Sequence, residues 1–164
     1  MFPYKPFTVL FLSTGNAARS ILAEALLREK GGEGFNARSA GYRPLTDVNP
    51  HTLALLAAEG ISINGLHSKG WAEFLASAHV LPIDVIVTLS EEARANCPAW
   101  PNDPVRVHWT VDDPLSAEKL DVMEWKFKKC FATLEARIGR LIKTRLARKP
   151  EELFLQFKDI GMVV

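Results

Sequence analysis

Cysteine is scarce in this sequence, and so is an excess of charge of either sign. Two cysteines, Cys97 and Cys130, are too few for the disulfide framework of a small secreted protein, so a reducing cytoplasm is the expected compartment. The formal net charge of +1 provides no overall field for binding nucleic acid or an anionic membrane surface. We therefore expect a cytoplasmic protein without a nucleic-acid partner.

Long apolar runs are also lacking, since no stretch approaches the roughly 18 consecutive apolar residues of a membrane-spanning helix. Residues 1–6 do not have the arrangement of a signal peptide, and the apolar run after them is too short to be part of one. The basic side chains between residues 126 and 149, Arg137 among them, are interpreted as a solvated helix face rather than a polyanion site. No membrane partner is expected.

Short strand-like runs alternate with helical patterns, which is typical of βαβ units and a parallel sheet. The sequence predicts a three-layer α/β/α fold with a four-stranded parallel sheet, as one domain over residues 1–149 followed by a C-terminal tail over residues 150–164. Whether the apolar patch of that tail docks on its own domain or on a partner stays open. The predicted strands are 7–12, 35–40, 83–89 and 105–109, and the predicted helices are 19–31, 50–60, 72–76 and 121–146.

A turn of small and polar residues follows the first predicted strand, where open α/β sheets usually bind ligands. Its backbone amides and the start of the next helix can converge on an anion, and Arg19 can add a forked pair of hydrogen bonds. The turn lacks the patterns of nucleotide-binding loops, so we predict a site for a tetrahedral oxyanion. The alternative is a plain strand–turn–helix joint with Arg19 in solvent. The residues of the predicted site are Thr14, Gly15, Asn16, Ala17, Ala18, Arg19 and Ser20.

Five segments of the chain resemble, in the same order, the low-molecular-weight tyrosine phosphatase family and most closely its arsenate reductase branch. They are LFLSTGNAARSILAEALL, ARSAGYRP, NPHTLALLAAEGI, VIVTLSEEARANCPAWP and HWTVDDP. The resemblance implies a flavodoxin-like topology. It also implies that a cysteine nucleophile opens the loop, where this chain has Ser13, and that Arg19 binds the oxyanion. The general acid implied is Asp113, which precedes a proline, and Asp112 is the less favoured carboxylate.

A redox relay is a further implication of the resemblance. Thioredoxin-coupled arsenate reductases carry two more cysteines on a mobile segment, and the corresponding positions here are Ser90 and Cys97, so that one sulfur is present. No cofactor is implied, but a redox-active chain would need a thiol reductant, thioredoxin or similar. Cys130 falls in the apolar stripe of the last predicted helix and is expected in the core.

Serine at position 13 changes what the resemblance allows. A cysteine there would be held as a thiolate by the helix start and Arg19, whereas a serine hydroxyl needs a neighbouring base. Oxygen also cannot supply the electrons that arsenate reduction requires. We therefore expect the chain to bind arsenate, phosphate or sulfate but to turn over poorly or not at all. The histidines, which all lie in other segments, are His51, His67, His79 and His108.

Three interpretations of function stay open: an arsenate reductase-like oxyanion binder, a phosphatase for tyrosine phosphate or small phosphomonoesters, and a catalytically silent binding module. Aromatic residues at the mouth of the loop, with Tyr42 and Trp71 as candidates, would favour the phosphatase. Arg38, Arg43 and Lys69 could steer a dianion, but the preferred interpretation is that they are solvated. No metal site is predicted, because neither the histidines nor the cysteines have ligand spacing.

Overall fold

The computed structural model describes residues 5–164; residues 1–4, which open the segment that we distinguished from a signal peptide, lie outside the described residues. Four parallel strands form one sheet in the order β2–β1–β3–β4. The strands are β1 (Phe7–Ser13), β2 (Phe35–Gly41), β3 (Val85–Thr88) and β4 (Val105–His108). The helices are α1 (Arg19–Gly31), α2 (Pro50–Ala58), α3 (Ala72–Ser77), α4 (Glu91–Asn96), α5 (Leu120–Lys143) and α6 (Pro150–Ile160).

The central strand β1 is buried along its whole length, as its continuous apolar run predicts. Its side chains point alternately to the two faces of the sheet and so divide the core in two. Phe7, Val9 and Phe11 belong to a larger cluster with α1, α5 and α6, and Leu10 and Leu12 pack in a smaller cluster on the opposite face. The predicted three-layer α/β fold with four parallel strands is confirmed.

Helix α5 has 24 residues, spans about 36 Å and lies against the larger cluster. Its apolar stripe is the predicted one, although the helix ends at Lys143 and not at residue 146. Cys130 lies in this stripe and is 4% exposed, which confirms its expected place in the core. Among residues 5–164, no helix combines the length and the apolar character that crossing a bilayer requires.

Two helices are absent from the predicted elements. One is the short α4, and the other is α6, which lies in the segment that the sequence sets apart as a tail. Leu153, Phe157 and Ile160 of α6 are buried in the larger cluster. The tail therefore docks on its own domain, and the boundary drawn at residue 149 does not coincide with a gap in the packing.

Trp109, which follows β4, anchors α6 to the sheet. Its fully buried ring stacks on Phe157 with the ring centroids 6.1 Å apart, and its indole N–H donates to the Phe157 carbonyl at 2.9 Å. Just after the helix, Gly161 approaches the same ring so closely that a Cβ there would lie 2.3 Å from Trp109 Cδ1. These contacts hold α6 against the end of β4.

The strand order opens a crevice at the carboxyl end of β1. One connection leads from β1 to β2 on one side, and the next leads from β2 past β1 to β3 on the other side. Open α/β sheets bind ligands where connections diverge in this way. The turn between β1 and α1, residues 14–18, lies at this point.

We expect Phe157→Ala to lower the free energy of unfolding by about 3–5 kcal/mol, because it leaves a cavity beneath Trp109. Leu155→Ala, on the same helix, is the matched control and should change it by about 0.5 kcal/mol or less, since Leu155 is 56% exposed. Urea unfolding measures both. Equal losses in the two variants would contradict the role assigned to α6.

Candidate functional site

The loop between β1 and α1 turns its carbonyl groups outward. The carbonyls of Ser13, Thr14, Gly15 and Ala17 accept hydrogen bonds at 2.8–3.1 Å from backbone amides within residues 42–49. The amides of Thr14, Gly15, Ala17 and Ala18, by contrast, meet no acceptor among residues 5–164. Loop amides free on one side and carbonyls anchored on the other are the arrangement of an anion-binding nest.

These free amides border a cavity of about 280 Å³. Arg19 and Asp113 contribute to its wall, so the three residues predicted as nucleophile position, anion ligand and general acid are brought together. The start of α1 adds the positive end of its dipole. The residues lining the cavity are Ser13, Thr14, Gly15, Ala17, Ala18, Arg19, Arg43, Leu45, Glu92, Asp113 and Leu115.

Asn16 shapes the loop from behind and does not line the cavity. It has φ of +50°, a left-handed conformation that asparagine tolerates better than most residues, and it is fully buried. Its amide group donates to Ser20 Oγ at 2.8 Å and to Ser39 Oγ at 2.9 Å, and its Oδ1 accepts from the Lys69 backbone amide at 2.9 Å. All polar atoms of the side chain are thus used to hold the loop.

Lys69 is part of the same buried network, so its interpretation as a solvated cation is wrong. The residue is 7% exposed, and its ammonium group donates to the His67 carbonyl at 3.0 Å and to Ser39 Oγ at 3.3 Å. The Glu24 carboxylate lies 3.6 Å from it. Burial lowers the pKa of Lys69, and Glu24 partly opposes that effect. The ion pair supports Ser39 and, through it, the loop.

The other two basic residues considered at this end of the sheet differ from one another. Arg43 borders the cavity, and its guanidinium lies over the Tyr42 ring at 4.9 Å from the centroid. The guanidinium of Arg38 instead donates to the Ala37 carbonyl at 2.9 Å. Tyr42 and Trp71 pack on one another, with centroids 5.3 Å apart, and neither ring lines the cavity.

Ser13 has no base beside it in the described residues. Its Oγ lies 2.6 Å from Ser20 Oγ and accepts from the backbone amide of Asn16 at 3.2 Å. Ser20 Oγ in turn accepts from the side-chain NH₂ group of Asn16, which cannot take a proton. The hydroxyl at position 13 is therefore held in place but not activated.

Arg19 joins the loop to the segment that carries the predicted acid. Its Nη1 donates to the carbonyls of Leu89 at 3.3 Å and Val111 at 3.1 Å, and its Nη2 lies 3.6 Å from Asp113 Oδ2. The other carboxylate oxygen of Asp113 accepts from the Leu115 amide at 3.0 Å and caps a short 3₁₀ turn. Asp112 is exposed and does not line the cavity.

A buried arginine of α5 holds this acid segment. Arg137 is 7% exposed, and it donates from Nη1 to the Thr110 carbonyl and from Nε to the Val163 carbonyl, both at 3.0 Å. Its interpretation as part of a solvated basic face is therefore wrong. Arg137 lies in the apolar stripe of α5, three residues after Leu134 and four before Leu141, and this spacing was a signal that sequence reasoning missed.

The two relay positions lie at opposite ends of α4. Ser90 Oγ caps the helix by accepting from the Ala93 amide at 3.2 Å, and it also accepts from Thr14 Oγ1 at 3.0 Å. Cys97 follows the helix, half-buried, with its Sγ 3.8 Å from Arg106 Nη1. Burial raises the pKa of its thiol, and Arg106 partly opposes that effect. Only Ser90 contacts the loop.

Within residues 5–164, no three His, Cys, Asp or Glu side chains converge as metal ligands would. Sequence reasoning missed three residues of the cavity wall, Leu45, Glu92 and Leu115. Two of them follow residues that the resemblance had singled out, since Glu92 comes just after Ser90 and Leu115 just after Asp113. Leu45 is different, because it reaches the loop through its backbone amide, which donates to the Gly15 carbonyl.

The match to known families covers most of the chain. Residues 8–152 fit the family of low molecular weight phosphotyrosine protein phosphatases. The chain belongs to this family. The arsenate reductase of Halalkalibacterium halodurans is a relative at 34% identity over 136 residues, which are 83% of this chain and 92% of that protein.

Two solved structures resemble the fold. The thioredoxin-dependent arsenate reductase Cg_ArsC1' of Corynebacterium glutamicum gives a TM-score of 0.65 at 25% identity, and the match covers 87% of this chain but 63% of that one. A low molecular weight protein tyrosine phosphatase from T. tengcongensis gives 0.66 at 24% identity, with 84% and 98% covered. Since proteins with both names share this fold, the fold alone does not distinguish reduction from hydrolysis.

We expect Asn16→Ala to lower the free energy of unfolding by about 2–3 kcal/mol more than Asn102→Ala does. Asn102 also has a positive φ, +67°, but it is exposed and its amide makes one hydrogen bond of 3.5 Å. Both variants place alanine at a left-handed position, so that cost is common to them. The difference between their free energies of unfolding therefore reports the loss of the buried hydrogen bonds of Asn16. Urea unfolding measures it, and equal losses would show that the network contributes nothing.

A pH dependence follows from Cys130. Burial raises the pKa of this thiol to about 12, from 9.0, and Asp113 adds to the rise while Arg19 and Arg137 oppose it. Because the unfolded chain loses the proton first, the stability that the protonated thiol contributes below pH 9 is lost as the pH rises from 9 towards 12.

Unfolding measured at pH 8 and pH 10 tests this dependence. The stability of the wild type relative to Cys130→Ala should fall by about 1 kcal/mol between the two pH values. Cys97→Ala serves as the control and should show a smaller change, because that thiol is only half-buried. Parallel pH curves for the wild type and Cys130→Ala would rule the effect out.

Proposed function

We propose that this protein binds a tetrahedral oxyanion, arsenate or its analogues phosphate and sulfate, as an arsenate reductase-like member of its family. The observation that carries the proposal is the ring of loop amides without protein acceptors, closed by Arg19 and by the start of α1. A tetrahedral anion offers oxygens in the directions that such converging donors require. The 34% sequence identity with the arsenate reductase of Halalkalibacterium halodurans supports arsenate as the ligand.

In the proposed complex, the amides of Thr14, Gly15, Ala17 and Ala18 bind the anion oxygens, and Arg19 contributes a charge-assisted pair of hydrogen bonds. Nη1 of Arg19 is tied to two carbonyls, which fixes the plane of the guanidinium before any ligand arrives. Asp113 lies beside Arg19 in the wall of the cavity, where a protonated carboxyl group would donate to an oxygen leaving the centre. Arg137 acts on this reaction only by positioning the segment that leads to Asp113.

Turnover is expected to be absent or nearly so. Hydrolysis of a phosphomonoester on this loop needs a nucleophile, and the Ser13 hydroxyl has no base to take its proton. Reduction of arsenate to arsenite consumes two electrons, which two thiols provide when their sulfurs join in a disulfide. Serine at positions 13 and 90 cannot form that bond, and Cys97 lies at the far end of α4.

The phosphatase alternative has less support. Aromatic rings at the mouth of the loop would favour an aryl phosphate, but Tyr42 and Trp71 pack on one another away from the cavity. A silent binding module would bind the anion but stay inactive even with cysteine at position 13. The Ser13 variants therefore separate it from our proposal. A thioredoxin-like reductant enters the proposal only for chains that carry the missing sulfurs.

We expect isothermal titration to show phosphate and arsenate binding to the wild type, and Arg19→Ala to weaken that binding at least tenfold because it removes a charge-assisted pair of bonds.

Ser13→Cys should raise aryl-phosphate hydrolysis by about three orders of magnitude or more, since loss of a nucleophile can cost about 10⁶ in rate. Ser13→Ala is the matched control and should bind without turnover.

Arsenate reduction is tested in a variant that combines Ser13→Cys and Ser90→Cys, with thioredoxin as the reductant. The contact of Ser90 with Thr14 places a thiol at position 90 beside the loop, so steady reduction is expected. Binding without turnover in every variant would leave the silent module as the function. A wild-type rate equal to that of Ser13→Cys would refute the argument from the missing base.

A further inference from the structure

A second and larger cavity lies at the edge of the sheet, away from the anion loop. It measures about 500 Å³ and is bounded by β4, by the end of α4 and by α6. The loop cavity and this one share no lining residue. Two of its residues, Phe154 and Lys158, lie beyond residues 8–152 that match the family, so α6 completes a cavity outside the matched region.

Three cationic side chains line this cavity, Arg94, Arg106 and Lys158. Arg106 donates to the Pro98 carbonyl at 2.9 Å and contacts Cys97 Sγ, but no carboxylate among residues 5–164 pairs with it. The ammonium group of Lys158 has no hydrogen bond or ion pair in the same part of the chain. Arg94 is the third cation, and the carboxylate of Glu91 lies 3.7 Å from it. Arg106 and Lys158 flank the concavity without a carboxylate partner of their own, and such cations favour a negatively charged ligand.

The floor of the cavity is polar but already satisfied. His108 Nε2 lies 3.1 Å from the Glu91 carboxylate, and Nδ1 lies 2.8 Å from Thr88 Oγ1. Both ring nitrogens therefore have partners within the protein. The ring of Phe154 on α6, 39% exposed, adds an apolar wall to the cavity. A ligand thus meets cations at the rim and a flat apolar surface at the wall.

We propose that this cavity binds a small organic anion with a flat apolar group. Its carboxylate, phosphate or sulfonate lies between Arg106 and Lys158, and its flat part packs on Phe154. The volume is within the range of small-molecule sites, about 300–1,000 Å³. The site is independent of the anion loop, so neither its presence nor its loss bears on the function proposed above.

Isothermal titration with 2-naphthoate tests the proposal, on the wild type and on Arg19→Ala, in which the anion loop is weakened. Both proteins should bind the probe with the same affinity. Arg106→Gln combined with Lys158→Gln should weaken binding at least tenfold, as expected for the loss of two charged partners. Lys143→Gln combined with Lys149→Gln, exposed cations elsewhere, changes the net charge equally and should leave the affinity within twofold.

Phe154→Ala tests the apolar wall and should weaken 2-naphthoate severalfold while leaving acetate unchanged. Amide NMR shifts caused by the probe should concentrate in residues 105–110 and 153–158. The proposal fails if the probe does not bind, if Arg19→Ala abolishes its binding, or if both charge pairs of variants lose affinity equally. Acetate binding as tightly as 2-naphthoate would show that the cavity recognises the anionic group alone, and would overturn the role given to the flat apolar group. Unfolding curves show that each variant is folded.

Discussion

The site depends on four carbonyl groups at the end of β1 and in the loop after it, which point away from the cavity. They are those of Ser13, Thr14, Gly15 and Ala17. Backbone amides of residues 42–49 hold those carbonyls, and the loop amides consequently face the cavity. Gly41 permits this contact, since a Cβ there would lie 3.0 Å from the Asn16 amide nitrogen and the Thr14 carbonyl oxygen. The anion site therefore depends on β2 and the segment after it as much as on the residues that line the cavity. The dipole of α1 adds to a loop whose conformation these contacts hold.

The sequence predicted the sheet and the loop because both leave local signals. A continuous apolar run marks β1, and small residues before Arg19 mark the turn. Asn16 was predicted to belong to the anion site, but its buried side chain instead holds the loop from behind. Lys69 could not be distinguished from a solvated cation by a local signal, because Ser39 and Glu24, which contact its ammonium group, are 30 and 45 residues distant in the chain. Arg137 lies in the apolar stripe of α5, but the two carbonyls that it holds are 26 and 27 residues distant and leave no signal in that stripe.

The end of the chain shows a second limit of local patterns. Leu153, Phe157 and Ile160 of α6 have helical spacing, which sequence reasoning missed, but their docking depends on Trp109, some 50 positions earlier and just after β4. Once α6 is in place, it serves two regions at once. Its buried face completes the larger cluster beside β4, and its outer residues Phe154 and Lys158 form a wall of the edge cavity. The same helix thus links core stability to a surface outside the family's anion loop.

Gly161 shows how narrow the tolerance of this arrangement is. The missing side chain allows the backbone after α6 to lie flat on the indole of Trp109, and two residues later the chain reaches Val163, whose carbonyl is held by Arg137. Arg137 in turn holds Thr110, next to the carbonyl of Val111 that orients Arg19. A methyl group at position 161 would therefore clash with Trp109 and displace the end of the chain. Because Arg137 holds both Val163 and Thr110, that displacement would reach the guanidinium of Arg19, which faces the anion.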